Sequence, residues 1–241
     1  FVFFLMLPRP PISTLFPYTT LFRSSKNLDF TLKYLDKYTD LIDNFIKKLA
    51  THAAKIRKKQ ALPTIVAVGG YGRSEIAPHS DVDILFFYDD GLSLNSKSFI
   101  ELINTTGWTA GLKLSLSTRS MAECESGLAE DLHFATSLLE TRYIWGDKAR
   151  YTRLQKMIRR HVAQTPATTF IAAKLAERDA RHGKTGDSRA LLQPNVKESK
   201  GSLRDIQTLF WLTNFLYGID TAEGLVKRSI LTKAEAESLR Q

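Results

Sequence analysis

Cysteine is almost absent: Cys124 is the single thiol in 241 residues. No disulfide can close within the chain, and a reducing, cytoplasmic setting is expected. Long apolar runs are missing too, since no stretch reaches the ~18 residues that a membrane-spanning helix needs. His79, His133, His161 and His182 lack zinc-ligand spacing with one another or with Cys124, so no zinc site is expected. No internal repeat or low-complexity tract stands out. What is present is a core-forming composition, 43% hydrophobic, with 34 basic residues against 25 acidic ones and a net charge of +9. That surplus suits a nucleoside triphosphate, a nucleic acid or an acidic partner, and does not choose among them. The basic residues are scattered among acids without interleaved aromatics, which argues against nucleic acid. Two modest domains or one large one fit the length.

The informative stretch is Ile65–Tyr88. It opens on a short, β-branched apolar run, Ile65–Val68, of the length of a buried strand. Gly69-Gly70 follows, and a second apolar strand, Val82–Tyr88, is entered through Asp81-Val82-Asp83. Residues i and i+2 of a strand share a face, so the two carboxylates project together, about 7 Å apart along the backbone. Paired carboxylates at the head of an apolar strand are costly without a cation between them. Magnesium bound by one or two carboxylates and substrate phosphates is the commonest solution in phosphoryl chemistry. Gly69 and Gly70, having no Cβ, allow backbone N–H groups to approach a triphosphate. Arg73 is placed to pair with phosphate oxygens, and Ser80 stands beside the carboxylates. The order strand, Gly-Gly, ten residues, Asp-x-Asp, strand resembles the signature of the nucleotidyltransferase superfamily that includes DNA polymerase beta.

Residues 1–24 read differently from the rest. Phe1–Leu7 is too short for a signal peptide and lacks the basic start and small-residue cleavage site. The segment resembles a conceptual translation of sequencing-adapter DNA, and a non-native or disordered leader is expected there. From Ser25 an amphipathic helix is predicted, with Leu35, Tyr38, Leu41, Ile42, Phe45, Ile46, Leu49, Ala53 and Ile56 as its apolar stripe. Its basic end, Lys55–Lys59, suits a helix C-terminus. Beyond the second strand, a helix is predicted over Ser96–Thr106 and a half-buried strand over Leu112–Ser117. Ser120-Met121-Ala122-Glu123 is a capping box. Helical patterning runs through Leu128–Trp145, Lys148–Val162 and Thr168–Arg181, with Pro166 at the start of the last. A polar loop, His182–Lys200, then leads to an apolar helix at Thr208–Tyr217. Lys197, Lys200 and Arg204 surround Gly201 near that helix start and are candidate phosphate ligands. Thr232 and Glu235 cap a final helix. Trp108, Trp145 and Trp211 read as core or interface residues.

Two stretches together resemble one family. Val68–Asp83 is similar to the nucleotidyltransferase motif of the bifunctional protein-PII uridylyltransferase/uridylyl-removing enzymes. Pro194–Gln207 resembles the second hallmark of the same family, and Lys174–Ser188, with its Glu-Arg-Asp-Ala-Arg-His run, also reads like it. The resemblance covers about Ile65–Gln241. It implies an α+β, polymerase-beta-like nucleotidyltransferase domain over residues 25–146, with a small mixed sheet, and a helical domain over 147–241. It implies transfer of UMP from UTP to a tyrosine of the PII nitrogen-regulatory protein, with pyrophosphate released. Asp81 and Asp83 would hold Mg2+, and Gly69 and Gly70 the triphosphate. Members of the family are much longer and continue into phosphohydrolase and ACT domains, so a fragment is expected.

There are departures from the family pattern. A third carboxylate is usual on a later strand, and Lys113 stands in the corresponding strand here. Thr109 follows Trp108 where the family has Asp. Leu114-Ser115-Leu116-Ser117 replaces a sequence closer to Val-Gly-His-Ser, and Ser74 and Ser202 stand at common glycine positions. Weaker metal binding than in a typical member, or none, is expected from them. The alternatives are a related ATP-using nucleotidyltransferase, such as the one attached to CBS-domain regulators or the glutamine synthetase adenylyltransferase, and a non-catalytic nucleotide- or PII-binding module.

Overall fold

The computed structural model describes residues 25–56, 62–184 and 195–238. The proposed leader and residues 185–194 of the predicted loop lie outside them. Helix α1 (Ser25–Ile56) precedes strand β1 (Thr64–Ala67), the single turn α2 (Gly69–Gly72) and strand β2 (Val82–Tyr88). Helix α3 (Leu94–Thr109), strand β3 (Leu114–Ser120), helices α4 (Met121–Glu130) and α5 (Leu132–Leu138), and strand β4 (Arg142–Trp145) follow. The remainder is helical: α6 (Lys148–Gln164), α7 (Ala167–Lys184), α8 (Leu203–Tyr217), α9 (Ala222–Lys227) and α10 (Lys233–Ser238).

The four strands form one mixed sheet in the order β3-β2-β1-β4. Strand β1 pairs antiparallel with both neighbours, whereas β2 and β3 run parallel. Every residue of β1 is buried, because helices cover both faces, and this is why the strand reads as a continuous apolar run. On one face Ile65, Ala67, Ile84 and Phe86 meet Ile42, Ile46, Ala50 and Ala53 of α1 and Phe99 and Ile103 of α3. On the other, Val66, Leu85 and Phe87 meet Cys124, Leu128, Leu138, Leu154 and Met157 from α4, α5 and α6. Burial of each large aliphatic side chain contributes roughly 1.5–3 kcal/mol. The buried face of α1 is narrower than the predicted stripe. Leu41 and Ile56 are 63% and 62% exposed. Leu41 lies about 100° around the helix from Ile42, beyond the ridge that meets the sheet.

Strand β4 corrects the helix expected over Leu128–Trp145. Asp131 ends that helix by accepting from His133 N and Phe134 N, which starts α5 afresh. Arg142–Trp145 then completes the open edge of β1, and pairing with that edge overrides the local helical period. Strand β3 starts two residues later than predicted and runs to Ser120. Helix α3 begins at Leu94, capped by Ser93, whose hydroxyl accepts from Ser96 N at 3.1 Å. The boxes at Ser120/Glu123 and Thr232/Glu235 are formed as their sequences indicate. His182, expected in a loop, is buried in the last turn of α7.

Helices α7 and α8 pack against each other. Phe170 stacks on Phe215, Lys174 lies over the Trp211 ring, and His182 meets Asp205. These contacts run in opposite sequence order, so the two helices are antiparallel. Trp211 is buried, and Trp145 donates its indole N–H to Thr51. Trp108 is 69% exposed, so of the core and interface readings the core one does not hold for it. Among the described residues, no helix is long and apolar enough to cross a membrane.

Candidate active site

The site begins where β1 ends. Val68 N donates to Asp83 O at 3.1 Å, and the chain then folds into α2. Gly69 has φ +57°, and a Cβ there would lie 3.4 Å from Asp83 Oδ2. The missing side chain therefore brings the backbone of the turn directly against the carboxylate. Gly72 is required more strictly, since a Cβ would fall 1.7 Å from the carbonyl oxygen of Glu140. Ser74, at a family glycine position, has φ +65°, a conformation that costs a non-glycine residue roughly 1–2 kcal/mol. At the other such position no strain is present, because Ser202 has φ −87°.

Tyr71, the residue between the glycines of the turn, is buried and holds the turn to α1. Its hydroxyl donates to Asp43 Oδ1 at 2.7 Å. Arg142 of β4 donates to both Asp43 oxygens, at 2.5 and 3.1 Å, and to Tyr71 O at 3.0 Å. Burial and Asp43 push the Tyr71 phenol upward, so it stays a donor.

Asp81 is exposed and Asp83 half-buried at the head of β2. Burial raises the carboxyl of Asp83. The Ser115 hydroxyl draws it back, neighbouring Asp81 adds to the rise, and Lys197 and Arg73 oppose it. The register pairs Asp83 with Ser115, not with Lys113. The neighbouring-strand position opposite Asp83 thus carries a hydroxyl, while Lys113, whose carbonyl accepts from Val82 N at 2.8 Å, lines the cavity beside the pair. Among the described residues, no group of three or more His, Cys, Asp or Glu is arranged to hold a metal ion. Asp81 and Asp83 nevertheless suit a hard cation that takes its other ligands from phosphates, because such sites use one or two carboxylates. Asp83 also meets the open cradle at Gly69, and its charge is incompletely balanced by the chain itself.

A cavity of about 1030 Å³ joins this site to the second motif. Gly69, Gly70, Arg73, Ser80, Asp81 and Asp83 line it together with Lys197 and Arg204, more than a hundred residues later in the chain. Lys200 does not line it. Arg73 lines the cavity with two of its nitrogens engaged, Nε donating to Glu75 at 2.6 Å and Nη1 to Glu140 at 2.5 Å. The segment 195–202 is folded by its own polar groups. Asn195 Oδ1 accepts from Lys197 N and Glu198 N, and the Ser202 hydroxyl donates to Lys197 O. Asp205 pins it to α7 by accepting from Gly201 N at 2.7 Å, with His182 Nε2 3.0 Å away and Arg181 paired alongside. Although burial works against it, those donors hold the Asp205 carboxyl below its ordinary range.

Several cavity residues were not singled out as site residues, although Lys174, Glu177 and Gln207 lie within the family-like stretches. Lys174 is 1% exposed, lies 4.3 Å from the Trp211 ring centroid and donates to Glu177 at 2.6 Å. Burial lowers its pKa, against the pull of Glu177. Its i,i+3 spacing from Glu177 was the available signal. Glu140, Gln207 and Trp211 also line the cavity, and Glu140 was hidden within a stretch that reads as helix.

Comparison with known proteins agrees with the geometry. Residues 32–142 match the nucleotidyltransferase domain profile. With the small mixed sheet and the carboxylates at the head of β2, that match gives the chain a nucleotidyltransferase domain of the α+β, polymerase-beta-like class. Residues 169–241 match the profile described as GlnD PII-uridylyltransferase. The bifunctional uridylyltransferase/uridylyl-removing enzyme of Rhodospirillum rubrum is 43% identical over 169 residues, 70% of this chain and 18% of that protein. The enzyme of the same name from Rhodopseudomonas palustris is 41% identical over 178 residues, 74% of this chain and 19% of that protein. The chain belongs to the bifunctional uridylyltransferase/uridylyl-removing enzyme family, of which it carries the nucleotidyltransferase part. It spans about a fifth of the length of these curated relatives.

Proposed function

We propose that this chain transfers UMP from UTP to a tyrosine hydroxyl of the PII signalling protein. The observation that carries the reading is the shared cavity, where the Asp81/Asp83 pair and the Lys197/Arg204 pair line the same space. Seen chemically, this is one acidic wall for a cation and one basic wall for phosphate oxygens. Asp81 and Asp83 would hold Mg2+, which when bound stabilises negative charge developing on phosphate oxygens. The α2 backbone at Gly69 and Gly70 would lie along the triphosphate, with Ser80 beside it. Lys197 and Arg204 would orient the phosphates so that the tyrosine oxygen attacks the α-phosphorus in line. The bond to the β-phosphate breaks, and pyrophosphate leaves. Positioning and charge carry most of such a reaction, so a strong base for the tyrosine is not required.

The test is transfer from α-labelled UTP to purified PII with magnesium. The expected result is label on a PII tyrosine from UTP and none from α-labelled ATP. Labelling from ATP alone would assign the chain to adenylyl transfer. A second reading, a nucleotide- or PII-binding module without turnover, is favoured by Ser115 standing opposite Asp83, with no third acid grouped with the pair as a metal site among the described residues. UTP binding with no label on PII would decide for it.

A further inference from the structure

Glu140 stands at the joint between the two halves of the cavity. It lies between α5 and β4, and its side chain is 8% exposed. One carboxylate oxygen accepts from Arg73 Nη1 at 2.5 Å, and the other accepts from Trp211 Nε1 at 2.6 Å. Arg73 closes the glycine turn, and Trp211 sits on α8, with the guanidinium of Arg204 over its ring at 5.5 Å. The backbone joins in on both sides. Gly72 packs against Glu140 O, and Asn214 Nδ2 of α8 reaches Leu139 O at 3.5 Å. A continuous chain of contacts therefore runs from the glycine turn through Arg73, Glu140 and Trp211 to Arg204.

We propose that Glu140 is a positioning residue for nucleotidyl transfer, holding the glycine turn and α8 in register so that the Asp81/Asp83 wall and the Arg204 wall grip one nucleotide. This rests on the nucleotide-transfer reading of the cavity. Both oxygens of Glu140 are engaged by donors, so it is not placed to take a proton from the acceptor. Its effect passes through Arg73 and Trp211. Small misplacements of this kind are costly, since about 1 Å can cost on the order of a hundredfold in rate.

The test compares Glu140→Gln, Glu140→Asp and Trp211→Phe in the 241-residue chain, each checked for cooperative unfolding. Glu140→Gln keeps the shape and loses the charge that holds Arg73. Its kcat for transfer of label from UTP to PII is expected to fall on the order of 10- to 100-fold. Its KM for UTP should move by less than about threefold, because no proposed triphosphate ligand is removed. Glu140→Asp should restore part of the rate, and the Glu140→Gln, Trp211→Phe double variant should be scarcely worse than the poorer single variant. Hydrogen exchange gives a readout independent of activity: amides in 72–75 and in 206–208 should both exchange faster in Glu140→Gln, with those of β2 unchanged. A folded Glu140→Gln with wild-type kcat would overturn the proposal, as would loosening on one side only. A wild-type chain that labels nothing would instead remove the transfer reading, and the exchange pattern would still decide whether Glu140 joins the two segments.

Discussion

Replacing Asp81 and Asp83 together by asparagine is expected to abolish transfer while leaving the fold intact. The two side chains play little part in stability. Asp81 is exposed, and burial makes the charged form of Asp83 unfavourable, with Lys197 and Arg73 opposing that only in part. Asparagine is nearly isosteric with aspartate. The loss falls on function, because an amide pair holds a divalent cation far more weakly than two carboxylates do. Several kcal/mol of transition-state charge stabilisation would go with it, a fall of about a thousandfold or more in rate. Rates of label transfer set beside urea midpoints check both halves of the expectation. Transfer within about tenfold of wild type would show that the pair does not hold the reacting metal.

The largest loss of stability is expected at Asp43, outside both motifs in sequence but bonded to Tyr71 of the first. Asp43 is 5% exposed and accepts from Tyr71, from two nitrogens of Arg142 and from Lys47 at 3.2 Å. Asp43→Ala would leave the Arg142 guanidinium without its anion and the buried Tyr71 hydroxyl without an acceptor. Breaking one partner out of a buried ion pair costs about 3–5 kcal/mol. The midpoint of urea unfolding should fall accordingly, and a loss below about 1 kcal/mol would contradict the role assigned to this network. The pH dependence has a definite sign. Burial alone would raise the carboxyl of Asp43, but Arg142, Tyr71 and Lys47 hold it below its ordinary range. Its contribution is therefore complete above the unfolded carboxylate value and is lost as pH falls through the folded one. Wild-type and Asp43→Ala stabilities should converge toward acid pH and separate toward neutrality.

The sequence is legible where local pattern and local geometry coincide. The apolar runs around Gly69-Gly70 and Asp81-Val82-Asp83 become adjacent strands, and the capping boxes at Ser120 and Thr232 form because each is complete within four residues. What escaped was set by distant partners. Arg142–Trp145 is a strand because β1 offers an open edge, and nothing within 128–145 records that edge. Of the partners of Asp43, only Lys47 is local; Tyr71 and Arg142 lie 28 and 99 residues away. Arg73 reads as a phosphate ligand from its spacing, yet Glu75 and Glu140 engage it. The strand Leu112–Ser117 reads as carrying no acid, and which of its residues faces Asp83, Ser115, is a distinction that only pairing can make.

The central claim is that two motifs more than a hundred residues apart form one nucleotide site. Calorimetric binding of UTP with magnesium to the wild-type chain and to the Lys197→Ala, Arg204→Ala double variant tests it most directly. Neither residue belongs to the glycine or aspartate motif, yet both line the same cavity. Charge-assisted contacts contribute about 1.5–3 kcal/mol each, so affinity should fall by about a hundredfold or more in the double variant. Unchanged affinity in the folded double variant would mean that the nucleotide is held by the first motif alone, and that the second motif serves something else.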